Sequence, residues 1–194
     1  MSRVITAEDV RKRLSLQDDP GINSAIESSL DGALARVRSL LMTELARGTA
    51  SDVFFVDPGA VVPAQRLYTL RLSNGFVKAP VSVYVGYSLA GVMTSTLQLN
   101  DHVLRAEKGH LRVPADYEGT YLRVEYTYGF LPADTPPGWL KEVVMALTTI
   151  VLGSQQISDG KSELAELIPA LERHWTSIMD TKLRYSTLAL SPLN

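Results

Sequence analysis

TYLRVEYTYGFLPADTPPGWLKEVVMALTTIVLG, Thr120 to Gly153, changes its period halfway through. Up to Phe130 the apolar and polar residues alternate, with Tyr126 and Tyr128 on one face and Glu125 on the other, the pattern of a half-buried strand. After Pro132, Pro136 and Pro137, Trp139, Leu140, Val143, Val144, Leu147, Ile150 and Val151 recur at threes and fours. That band is wide enough to predict a helix buried on most sides. A strand region handing over to a core helix, rather than strands and helices in alternation, points to the α+β class.

Upstream, both kinds of element recur in blocks. Thr6 with Ala7, Glu8 and Asp9 resembles a capping box and opens a short helix through Leu14. Asp18-Asp19-Pro20 caps a second helix, in which Ile22, Ile26, Leu30, Leu34, Val37 and Leu41 lie on one stripe that closes near Gly48. From Val53 the period becomes two. The β-prone runs RLYTLRLSNGFV, VSVYVGYSL, STLQL, HVLRAEKGHLRVP and TYLRVEYTYGF make five or six short antiparallel strands, with hairpin signals at Asn74-Gly75 and Glu107-Lys108-Gly109. Downstream, Ser162 opens a last helix carrying Leu164, Leu167, Leu171, Trp175 and Ile178, with a bend at Pro169.

The expected organisation is a helical core of about four helices with an inserted antiparallel β subdomain. Its parts are N-terminal helices over 1–50, the insert over 51–134, C-terminal helices over 135–183 and an extended arm over 184–194. Ile26, Leu30, Leu34, Trp139, Val143, Leu147 and Ile150 are the expected core. The arm, from Arg184 through Tyr185, Leu188, Leu190 and Leu193, carries no charge after Arg184. Leucines on a terminus too short to bury them suggest a surface supplied by something else.

Composition narrows the function. Of 194 residues, 45% are apolar, enough for a real core. Lys and Arg total 19 against 21 acidic residues, and the net charges of residues 1–50, 51–137 and 138–194 are 0, −1 and −1. No segment is the basic footprint of a protein that grips nucleic-acid phosphates. With no cysteine there is no disulfide, thiolate zinc site or cysteine nucleophile. The opening residues lack a continuous apolar run, and no stretch reaches the length of a membrane span, so a cytosolic, soluble chain is expected.

Near-matches to reactive motifs fail on spacing. Gly160-Lys161-Ser162 has Gln155 where a phosphate-binding loop needs glycine, and Gly86 to Gly91, GYSLAG, is one residue too long for a nucleophile elbow. His102 and His110 share a hairpin without a third ligand, and His174 sits beside Trp175 at a helix boundary. Tyr117, Tyr121, Tyr126 and Tyr128 near Arg123 fit sheet packing or a protein interface better than base stacking, because the charge around them is balanced. No catalytic, cofactor-binding or metal residue is expected.

The chain resembles the head-tail connector, or adaptor, proteins of long-tailed bacteriophages. Two stretches carry the likeness: ITAEDVRKRLSLQDDPGINSAIESSLDGALARVRSLL, with Thr6, Glu8 and Val10, and VEYTYGFLPADTPPGWLKEVVMALTTIVLG, with Tyr126, Gly129 and Phe130 before the prolines. The long β-rich middle departs from many connectors. The resemblance implies a virion protein, assembled in the host cytoplasm, that forms a ring of twelve copies under the portal protein. That ring would contact a tail-side connector or tail-completion protein and let double-stranded DNA pass without specific binding, with no membrane involved. The arm would then order on the portal or on a neighbouring subunit. A tail-completion or tail-terminator ring is the alternative, followed by a carbohydrate- or peptide-binding module on the β subdomain.

Overall fold

A computed structural model describes residues 5–57, 67–89, 92–99, 102–131, 133–158, 164–182, 189–190 and 192. The chain divides into two compact units. One comprises Met1–Leu41 and Pro132–Leu183, the other Met42–Leu131 and Arg184–Asn194.

The first unit is helical: α1 (Ala7–Arg13), α2 (Pro20–Leu41), α3 (Gly138–Ser158) and α4 (Ile168–Lys182). The capping box forms, with the Thr6 N–H donating to Asp9 Oδ2 at 2.8 Å and the Asp9 N–H to Thr6 Oγ1 at 3.1 Å. Asp19 caps α2 by accepting the N–H groups of Gly21 and Ile22 at 2.8 and 3.1 Å, while Asp18 pairs with Arg11 at 2.6 Å and ties α1 to that cap. α3 packs against both α2 and α4. Its buried Thr148 and Thr149 satisfy their hydroxyls on the carbonyls of Val144 and Met145, so a helix enclosed on most sides can hold them.

Ile26, Leu30, Val143 and Leu147 lie in the core as the stripe requires, whereas Leu34, Trp139 and Ile150 are only half-buried at its margins. Trp139 instead carries the Lys182 ammonium 5.1 Å above its ring. Two helix boundaries differ from expectation. α2 stops at Leu41, where Met42 turns to φ 48°, well before Gly48. α4 begins at Ile168 after a 3-10 turn at Ala165–Leu167, which puts Pro169 in a first turn, where its missing N–H costs nothing, instead of at a bend. Ser162, expected to open that helix, lies outside the described residues.

The second unit holds β1 (Gly48–Phe55), β2 (Leu67–Arg71), β3 (Lys78–Leu89), β4 (Val92–Leu99), β5 (Val103–Arg105), β6 (His110–Pro114), β7 (Tyr121–Tyr128) and β8 (Ala189–Leu190). They form two four-stranded sheets, ordered β1-β7-β3-β4 and β5-β6-β2-β8. Every pairing is antiparallel except β2 with β8. Inward side chains of both sheets share one core, with Phe54, Val83, Leu122 and Val124 from the first meeting Tyr68, Leu70, Leu111 and Val113 from the second.

The α+β class holds, with more strands than the five or six expected. β1 escaped the sequence reading because GTASDVFF opens on small residues, and HVLRAEKGHLRVP makes two strands, β5 and β6, joined at Gly109 with φ 60°. The Asn74-Gly75 hairpin does not form. β2 and β3 belong to different sheets, so residues 73–76 carry the chain across from one to the other.

Candidate functional site

The crossover at 73–76 is held by the most polar part of the interior. Asp52 projects inward from β1 and is 6% exposed. Its carboxylate accepts the Ser73 N–H at 2.6 Å, the Ser73 hydroxyl at 2.7 Å and the Tyr126 hydroxyl at 2.8 Å. Burial first, and the hydrogen bond to Asp52 second, push the Tyr126 phenol far above its ordinary value. The Asn74 N–H reaches the same phenol oxygen at 3.2 Å, the Gly75 N–H reaches Thr43 Oγ1 at 2.7 Å, and Asn74 Oδ1 accepts the Glu44 N–H at 3.0 Å. A carboxylate whose lone pairs are taken by protein donors, beside a phenol that stays protonated, is a fastening and not an acid-base pair.

The tyrosines divide between the two faces of the sheet, with the Tyr126 and Tyr128 rings 6.2 Å apart on the inward one. Tyr126 is in that fastening, Tyr117 and Tyr128 pack against the core, and Tyr121 stands on the outward face of β7, its ring 5.1 Å from that of Phe55. On the same face Arg123 lies 4.9 Å from the Tyr84 ring and 3.2 Å from Glu125. Its positive charge is shared with Glu125 and the Tyr84 ring. Tyr, Phe and Arg presented together on a sheet face match the composition of protein interfaces.

In the helical unit a cleft of about 760 Å³ opens between α1, α3 and α4, floored by Ile5, Leu14, Met145 and Leu171. Asp9, Lys141, Glu142 and His174 stand at it, with His174 Nε2 4.0 Å from Glu142 Oε2 in the open. Thr6 lowers the Asp9 pKa through its backbone N–H and then its hydroxyl, which marks that carboxylate as a helix cap. Among the described residues no three His, Asp or Glu side chains gather as a metal site, and no helix is long and apolar enough to cross a membrane. His110 is buried in β6 opposite Arg105, while His102 precedes β5.

Of the arm, Arg184, Tyr185, Leu188 and Leu193 lie outside the described residues. Leu190 falls in β8, which pairs in parallel with Thr69–Leu70 of its own chain. The backbone partner is thus internal where the sequence suggested a neighbouring surface. Strand-type backbone pairing of the arm, compatible with its sequence, thus occurs within the chain, in a strand too short for period-two reading to place.

No family model and no curated protein matches this sequence. Several solved structures resemble it. A chain from the virion of a native gene transfer agent particle aligns over 89% of both chains at 18% identity, with a TM-score of 0.50. A chain from the neck of an empty gene transfer agent particle, computed with C6 symmetry, aligns over 75% of this chain and 76% of that one at 16% identity, with a TM-score of 0.48. The first is a likeness of fold over 89% of the chain.

Proposed function

We propose that the chain is a structural ring subunit of a phage-like particle, placed where the head meets the tail and continuing the DNA channel. The observation that carries this is the fold agreement over 89% of both chains with a component of a gene transfer agent virion. The motifs at Thr6–Val10 and Tyr126–Phe130, which resemble head-tail connectors, point the same way. A ring wall needs packing and interfaces and no reaction centre. A formal net charge of −2 suits a conduit that must not hold the passing phosphates.

The arm is the proposed contact to the portal. To dock there it must release the two residues that pair with β2, at about 0.5–1.5 kcal/mol per hydrogen bond. Each leucine buried elsewhere returns about 1.5–3 kcal/mol. Repetition around a ring raises the effective concentration of the remaining arms and makes marginal contacts durable.

The test is electron microscopy of the full chain mixed with the portal complex of the same particle. A ring seated on the portal is expected, and a variant lacking Tyr185–Asn194 should fold and not attach. Attachment to the tail end alone would select the tail-completion role. A chain that joins neither component would overturn the proposal.

A further inference from the structure

The two sheets end very differently at their edges. In the sheet β5-β6-β2-β8 the outer strands are three and two residues long, and β5 carries Arg105. Very short or charged edge strands are how soluble proteins stop sheets from growing onto one another. The sheet β1-β7-β3-β4 has no such guard. Its outer strands, β1 and β4, are each eight residues long.

Neither strand, GTASDVFF nor VMTSTLQL, contains lysine, arginine or proline. Asp52, the one charge between them, points into the core and is consumed by Ser73 and Tyr126, so it does not defend the edge. Among the described residues β1 pairs with β7 alone, in unbroken register from Gly48↔Tyr128 to Phe55↔Tyr121. Among the same residues β4 pairs with β3 alone, with one irregularity opposite Val85/Gly86. Among the described residues the outward backbone donors and acceptors of both edges meet no further strand, and such edges call for a partner.

We infer that β1 of one copy pairs with β4 of the next, so that the sheet runs on from subunit to subunit. Strand direction favours this partner. β1 is antiparallel to β7, β7 to β3 and β3 to β4. The two edges therefore run in opposite directions, and a copy displaced by a rotation brings its β4 antiparallel to β1, continuing the existing alternation. The lengths match, and the contact is heterologous, joining different surfaces of identical chains, which is the kind that closes into a ring. The inference rests on the ring reading and specifies its seam.

The chain has no cysteine, so introduced pairs report without background. Ser51→Cys would be combined with a cysteine at each position of β4 in turn, in the full chain, and oxidised after assembly. Residues directly opposite across strands have Cβ atoms about 4.5–5.5 Å apart, and the closer, non-hydrogen-bonded pairs approach the roughly 3.5–4.5 Å that a disulfide spans. At one or two positions a non-reducing gel should show a ladder of multiples, while Ser51→Cys alone stays single. Amide exchange on the unaltered protein gives a second reading: the β1 amides that face away from β7 should slow by about tenfold or more on assembly. Rings that form without a ladder at any β4 position and without β1 protection would overturn this seam and leave the ring reading intact. So would Ser51→Cys dimers formed without β4. A chain that stays monomeric with every particle component would overturn both.

Discussion

The helical unit and the strand unit reach a stable interior by different routes. Along α2 and α3 nearly every buried position is aliphatic, and the polar exceptions, Ser29, Thr148 and Thr149, are small residues on the helices themselves. The strand unit buries the Asp52 carboxylate and spends three hydrogen bonds holding it, with no cation bonded to it among the described residues. Aliphatic packing tolerates small shifts. A fully satisfied polar network does not, and it fixes which strand crosses where. The comparison teaches that stability in this chain comes chiefly from apolar burial in both units, while Asp52 specifies the crossover between the two sheets.

The largest effects that sharpen this contrast come from the cores. Leu147→Ala in α3 and Leu122→Ala in β7 should each cost about 2–5 kcal/mol. Amide exchange followed unit by unit should show each loss confined to its own unit. Equal loss of protection in both from either variant would break the comparison. Next comes Asp52→Ala, expected to cost about 2–4 kcal/mol because the Ser73 N–H, the Ser73 hydroxyl and the Tyr126 hydroxyl lose their acceptor. Denaturant unfolding checks it, and a change below about 0.5 kcal/mol would show that the fastening contributes no more than an ordinary surface residue.

The smallest effect is at the first helix. Thr6→Ala should cost about 0.5–2 kcal/mol. Since Thr6 holds the Asp9 pKa below its ordinary 3.8, the box's contribution is complete above that pH and fades as pH falls through the lower folded value. A carboxyl NMR titration should find Asp9 depressed in the parent and less depressed in Thr6→Ala, which loses the hydroxyl but keeps the N–H at residue 6. No difference between the two would remove the cap from the account.

The helices were legible because each signal was local: threes and fours in α2 and α3, Asp19 before Pro20, Thr6 with Asp9. The β5–β6 hairpin was legible for the same reason, since Glu107-Lys108-Gly109 joins strands that pair with each other. Asn74-Gly75 misled because the partner of β2 is β6, some forty residues along, and a turn dipeptide marks a reversal without naming the strand that receives it. Asp52 gave no sign of its role, because its donors at 73 and 126 are remote in sequence. The proposed interaction surfaces were visible only as composition, in the leucines of the arm and the tyrosines around Arg123.

Where the strand unit begins and ends, its backbone is clasped. The Phe130 N–H donates to the Leu45 carbonyl at 2.9 Å, the Arg47 N–H donates to the Phe130 carbonyl at 3.1 Å, and Gly129, at φ 73°, sits so close to the Ala46 carbonyl that no side chain fits there. The long excursion from Met42 to Leu131 is therefore a cassette closed at one doorway, which β8 of the arm joins separately by pairing with β2. Its closure entropy is met by its own backbone, and one in-frame gain or excision at that doorway would leave the flanking chain the same short gap to span.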